Sequence, residues 1–318
     1  MQLDPIILFF LLGVFAGLIR SELRLPAAVY ELVSTVLLLA IGMKGGVELA
    51  AQPLLELLPD MVAVIAMGIV LTLVAFPVLR VLGGFSRVDA AAVAAHYGSV
   101  SVGTYAVAVA WLGARGIDYE EQLPLLLVLL EVPAILIGIA LARGEGRDSH
   151  WGAVVREIFT GKSIVLLLGG LAIGWVAGRD GLEPLSPLFF DLFKGVLALF
   201  LLDMGLIAAT HFPGVRRHGL FLVAFAVLMP LLGAVIGTLV AAALGFSLGG
   251  MVMLATLAAS ASYIAAPAAM RISVPEANPG LSLTAALGVT FPFNVLVGIP
   301  IYHALAHFVS TRLAGGLP

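Results

Sequence analysis

From Gly219 to Met270 the chain has no charged side chain, a run long enough for two bilayer crossings at about 20 residues each. In lipid every backbone amide and carbonyl must find a partner within the protein, and long apolar runs do this as helices. The rest of the composition agrees: 61% of residues are hydrophobic and 11% charged, against roughly half and roughly a quarter in a soluble domain. An all-α integral membrane protein is expected.

The same composition excludes other classes. A formal charge of -3 with no basic tract argues against nucleic acid as a partner. Cysteine is absent, so there are no disulfides and no thiolate metal sites. No basic region precedes the first apolar run and no small-residue cleavage site follows it, so Pro5 to Ile19 reads as a retained span.

The chain repeats itself. A shift of 161 positions places Gly13, Ala16 and Gly17 on Gly174, Ala177 and Gly178, and Pro26 on Pro187. The same shift brings Met43 onto Met204, Gly84-Phe85-Ser86 onto Gly245-Phe246-Ser247, and Ser99 and Ser101 onto Ser260 and Ser262. Apolar runs give spans at about 5–19, 27–50, 57–82, 88–113 and 122–142, then 163–179, 187–210, 219–243, 249–271 and 281–308. An odd number of spans per copy makes the second copy enter from the opposite side. Ten transmembrane helices in two inverted five-helix repeats are therefore expected. Repeat one covers 1–142, a linker 143–162, and repeat two 163–318.

Basic residues set the orientation. Loops after the odd-numbered spans hold Arg20, Arg24, Arg80, Arg87, Arg143, Arg147, Arg156, Lys162, Arg216, Arg217 and Arg271, whereas the other side has only Arg115, Arg179, Lys194 and Arg312. The odd loops are expected to be cytoplasmic, with both termini outside.

Two segments carry candidate chemistry. Span 4 contains His96-Tyr-Gly-Ser-Val-Ser-Val-Gly-Thr104 and span 9 contains Ala258-Ala-Ser-Ala-Ser-Tyr-Ile-Ala-Ala-Pro267. Gly98 and Gly103 relax one helix and Pro267 removes an amide donor from the other, so interrupted helices 4 and 9 are expected. A half-helix start leaves amides without partners and attracts anions when hydroxyls stand beside it. Ser99, Ser101, Thr104, Ser260 and Ser262 supply those hydroxyls. Serines are also ordinary in membrane helices, where they bond back one turn or across to a neighbour.

Among ionisable residues in the spans, Glu131 lies in a run of leucines just before Pro133 and is a candidate proton or cation partner, or a helix-end residue reaching the interface. Lys44 and Asp203 stand two residues out of register in spans 2 and 7; they form a structural charge pair or contribute to coupling. His303 and His307, four apart, read as interfacial histidines rather than metal ligands. His96 reads as a packed histidine. Gly13-x-x-x-Gly17 and Gly170-x-x-x-Gly174-x-x-x-Gly178 are helix-packing faces, within one protomer or between subunits. No Ser-His-Asp set, phosphate loop or His-Glu-x-x-His motif is present, so no catalytic residue is assigned.

Ile41-Gly-Met-Lys-Gly-Gly46, Tyr97-Gly-Ser-Val-Ser-Val-Gly-Thr104, Glu131-Val-Pro-Ala134, Gly245-Phe-Ser-Leu-Gly-Gly250, Ala259-Ser-Ala-Ser-Tyr-Ile264, and Arg271 followed by Val274-Pro-Glu-Ala-Asn-Pro279 run along nearly the whole chain. In that order they resemble the sodium-dependent bicarbonate transporter family. The resemblance implies ten spans in inverted repeats, a homotrimer in a bacterial inner membrane, and bicarbonate taken up with a sodium ion; no other cofactor is expected. It implies an anion site of Ser99, Val100, Ser101, Gly103 and Thr104 with Ser260, Ser262 and Tyr263. A PII-like regulatory protein docks on the cytoplasmic face of the cyanobacterial type, whose central linker is longer than the one here. Where that type has an aspartate in span 9 this chain has Tyr263, and Ala265 and Ala266 replace Ser and Gly. Losing a carboxylate and a hydroxyl weakens a hard-cation site. Lys44 replaces a threonine, and its ammonium is a candidate stand-in for a cation.

The expected function is secondary transport of a small anion, bicarbonate first, with sodium symport. The alternatives are a proton-coupled carrier of another small carboxylate or inorganic anion, and an anion channel. A channel needs a continuous polar pore, whereas the polar residues here concentrate in two short segments.

Overall fold

The computed structural model describes residues 5–50, 53–144, 152, 155, 156 and 159–314. Most of the expected linker at 143–162 lies outside them. All regular structure among the described residues is helical. In chain order the main helices are α1 (Pro5–Leu18), α2 (Ala27–Leu49), α3 (Leu58–Pro77), α4 (Arg87–Gly98), α5 (Val102–Gly113), α6 (Leu123–Arg143) and α7 (Lys162–Leu182). They are followed by α8 (Phe193–Gly214), α9 (Gly219–Ala243), α10 (Leu248–Ala258), α11 (Ala265–Ser273) and α12 (Pro279–Arg312). Among the described residues seven helical segments are long and apolar enough to cross a membrane, and α1 and α10 are shorter apolar helices. The outer surface is apolar as well: Val176 is 86% exposed and Leu220 82%, which suits lipid and not water.

Repeated sequence produces repeated local structure. Gly84 and Gly245 both adopt positive φ, at 64° and 77°, where a side chain would be strained. Ser86 and Ser247 follow as N-caps, their hydroxyls accepting from the amides of Asp89 and Gly250. Thus α4 and α10 begin in the same way. Pro77, which has no amide to donate, is followed by a wider π-helical turn at Val78–Leu82. Gly219, with φ 85° and ψ 171°, separates α8 from α9.

The small-residue faces find their partners within one chain, except at Gly178, which takes φ 65° and ψ -177° at a kink in α7 and has open space where a side chain would stand. α1 lies along α8, where Gly13 meets the Leu202 carbonyl and Gly205 the Phe10 carbonyl. α2 lies along α7, where Gly46 meets the Leu171 carbonyl and Gly174 the Met43 carbonyl. A methyl group added to Gly42 would stand 2.6 Å from the Leu167 oxygen. Backbones this close gain dispersion over a long seam without any help from water. The other helices pack in two matching groups, α3 with α4 and α6, and α9 with α10 and α12.

Candidate functional site

The two interrupted segments meet. α4 stops at Gly98, Ser99 is extended at φ -88° and ψ -174°, and Ser101, at φ -112° and ψ 111°, caps α5. Opposite it, α10 stops at Ala258 and α11 begins at Ala265. The Ser101 amide donates to Ser260 Oγ at 2.9 Å and the Ser262 amide donates to the His96 carbonyl at 2.8 Å. Each break therefore pairs part of the backbone that the other leaves without a helical partner. Asn294 of α12 adds a third tie, its amide donating to the Ala259 carbonyl at 2.9 Å while Tyr302 donates to Asn294 Oδ1 at 2.5 Å.

Hydroxyls cap both half-helices. Ser101 Oγ accepts from the Thr104 amide at 3.1 Å and from the Thr104 hydroxyl at 2.9 Å. Ser262 Oγ accepts from the Ala266 amide at 3.1 Å, and Ser260 Oγ donates to the Leu257 carbonyl at 2.8 Å. Ser99 Oγ is buried without a hydrogen-bond partner among the described residues. Val102 and Gly103 hold first-turn amides that no helical carbonyl can reach. The crossing thus carries partial positive charge. It is closed to solvent: Ser99, Thr104, Ser260 and Ser262 are each 1% exposed and Tyr263 8%.

Aromatic rings cover the crossing. Tyr263 reaches from the second break so that its hydroxyl lies against Gly103, where any larger side chain would displace it. Phe200 packs on Gly103 and stacks on Tyr30 at 5.9 Å, and Phe291 meets Tyr263 at 5.4 Å and Phe10 at 5.7 Å. On the far side Thr72 packs against Gly98 and Tyr97 bonds to Thr290 at 2.6 Å.

The position of the second break differs from expectation. Pro267 does not make it; the helix is interrupted upstream at 259–264, and Pro267 is the third residue of α11. A proline is accommodated in a first turn because its missing amide has no helical acceptor there. Gly103 likewise lies inside α5, not at the break.

The charged candidates are dispersed. Glu131 is 1% exposed on α6 and its Oε2 has no partner; Leu130 beside it touches Gly68, and Ala134 one turn on faces Gly98. Lys44 holds its ammonium over the Tyr119 ring at 5.5 Å, in a cavity of about 420 Å³. Asp203 is buried near Tyr30. Lys44 and Asp203 thus face different surroundings and form no ion pair with each other. The described ion pair joins Arg179 to Glu48 at 2.9 Å, in the same cavity as Lys44.

Asn294, Thr72, Tyr30 and Phe200 also stand at the crossing, although their sequence context does not single them out. Asn294 had one visible signal, an amide side chain in the mostly apolar stretch 285–301. The aromatic residues had none, because only the folded chain brings them to the crossing.

The sequence pattern of the Na+-dependent bicarbonate transporter superfamily matches residues 5–307. No curated protein matches the chain.

Proposed function

Because the chain belongs to the Na+-dependent bicarbonate transporter superfamily, a family of transporters and not of enzymes, we propose that it carries bicarbonate across the membrane, driven by sodium, through the crossing of the two broken helices. The observation that carries this reading is the reciprocal pairing of the breaks, Ser101 amide to Ser260 and Ser262 amide to His96 carbonyl. An anion there meets first-turn amides of α5 and α11 and the hydroxyls of Ser99, Ser101, Thr104, Ser260 and Ser262, with Val100 and Gly103 giving room for close backbone approach.

In this reading the ten spans are α1, α2, α3, the broken pair α4 and α5, and α6, followed by α7, α8, α9, the broken pair α10 and α11, and α12. The matching packing of the two groups supports two inverted repeats. The glycine-lined panel of α1, α2, α7 and α8 serves as scaffold, and the group holding the crossing shifts against it to expose the anion to one side and then the other. The 420 Å³ cavity, lined by Ile41, Lys44, Tyr105 and Phe193, is the outer approach, and Lys44 supplies the attraction there. Tyr263 has taken the place of a carboxylate, so sodium is held by carbonyl and hydroxyl oxygens. Glu131 is the charge whose state the cation adjusts. Assembly as a homotrimer and docking of a PII-like protein remain parts of the reading carried by the family resemblance alone.

Labelled bicarbonate uptake into proteoliposomes tests the proposal. An inward sodium gradient is expected to drive accumulation and an inward proton gradient without sodium is not. Uptake indifferent to sodium rejects the symport and leaves proton coupling through Glu131.

A further inference from the structure

A second, smaller cavity lies between α4 and α11, on the opposite side of the crossing from the 420 Å³ cavity, which is lined by α5. It measures about 60 Å³ and is walled by Ala92, His96, Pro267, Met270, Arg271 and Ser282, with the chain at 274–279 completing it. At about 15 Å³ per water site this is room for roughly four waters, or one anion of four heavy atoms. His96 is 1% exposed, and its backbone carbonyl already receives the Ser262 amide. Its ring Nδ1 lies 2.7 Å from the Ala92 carbonyl. A carbonyl only accepts, so Nδ1 must donate, and in the neutral ring Nε2 then offers a lone pair. Nε2 is buried and has no hydrogen-bond partner among the described residues. Arg271 makes no ion pair among the described residues.

We propose that this cavity is an inner station for an oxyanion bearing one hydroxyl, in which Arg271 grips the charged edge and His96 Nε2 accepts a hydrogen bond from the hydroxyl. The donor set fits hydrogencarbonate and rejects its isosteres. Hydrogencarbonate has two acceptor oxygens for a guanidinium and one O–H for the imidazole lone pair. Nitrate has the same charge, shape and atom count but no proton to give, so it would leave Nε2 unpaired, which a buried site penalises. The station rests on the transport reading above, since an anion released from the crossing toward α11 enters this cavity before it reaches the aqueous phase.

Proteoliposomes of uniform orientation, outer face outward and loaded with labelled bicarbonate, test it through efflux with nitrate added inside. The wild-type protein is expected to release bicarbonate with little competition from nitrate. His96→Phe should raise the internal KM about tenfold, the worth of one lost hydrogen bond to an anion, and make nitrate an effective competitor. Arg271→Gln should weaken both anions together and keep their ratio. The external KM for uptake should change little in either variant, whereas a general packing defect would alter both faces. Arg271 is exposed, so Arg271→Gln carries the test if His96→Phe does not fold. Unchanged internal KM and nitrate competition in the folded variants overturn the inner station alone. A wild-type protein that moves no bicarbonate overturns the transport reading and the station with it.

Discussion

The chemistry at the crossing depends on single atoms. Ser260 Oγ is the acceptor for the Ser101 amide, and Ser260→Ala leaves that buried amide bare at a cost of about 1–3 kcal/mol. We predict a lower thermal midpoint together with a large loss of bicarbonate uptake. Gly103 is limited by the Tyr263 hydroxyl. Gly103→Ala should lose uptake through overpacking worth about 1–3 kcal/mol, and the added Tyr263→Phe, which removes the colliding oxygen, should restore part of it. A double mutant no better than Gly103→Ala would place the two residues apart. Glu131 behaves in the opposite way. Its unpartnered, buried Oε2 contributes no hydrogen bond to the fold, so Glu131→Gln should keep or raise the thermal midpoint while sodium-driven uptake falls. Of these residues the serines were legible in the sequence, since the same Ser-x-Ser falls at equivalent places in both halves. Their partners were not, because the bond from Ser262 to His96 joins positions that only the folded chain brings together.

At the scale of elements the glycines divide into two kinds. Gly174 packs on the Met43 carbonyl, backbone that cannot yield, whereas Gly169 has nothing within 4 Å of an added methyl. Both lie on α7. Gly174→Ala should destabilise the α2–α7 seam, and Gly169→Ala should be neutral or stabilising by about 0.5–1 kcal/mol through its better helix propensity. Tryptophan fluorescence melts of the two variants in detergent distinguish them. Helix spacing made these faces legible, but their pairing of α1 with α8 and α2 with α7 was not, since a small-residue face fits any other. The start of α10 at Ser247 could be read from the turn chemistry it shares with Ser86. The start of α11 could not, because Pro267 signals an interruption within a few residues and only the tertiary hydrogen bonds decide which one.

For the whole molecule the orientation proposed from the Lys and Arg distribution is directly measurable, because the sequence has no cysteine. Arg115→Cys should react with a membrane-impermeant maleimide on intact cells, and Arg24→Cys only after permeabilisation. The reverse pattern would turn the protein over and exchange the roles assigned to the two cavities. The all-helical, multi-pass class was legible at this scale because lipid restricts backbones so severely that long apolar runs nearly specify it.

The crossing as anion site is the centre of the account, and uptake of labelled bicarbonate by proteoliposomes containing Ser101→Ala/Ser260→Ala tests it most directly. With an inward sodium gradient and the variant's folding verified by its fluorescence melt, uptake should fall to the level of protein-free vesicles. Uptake at the wild-type rate would mean that the anion crosses the membrane elsewhere.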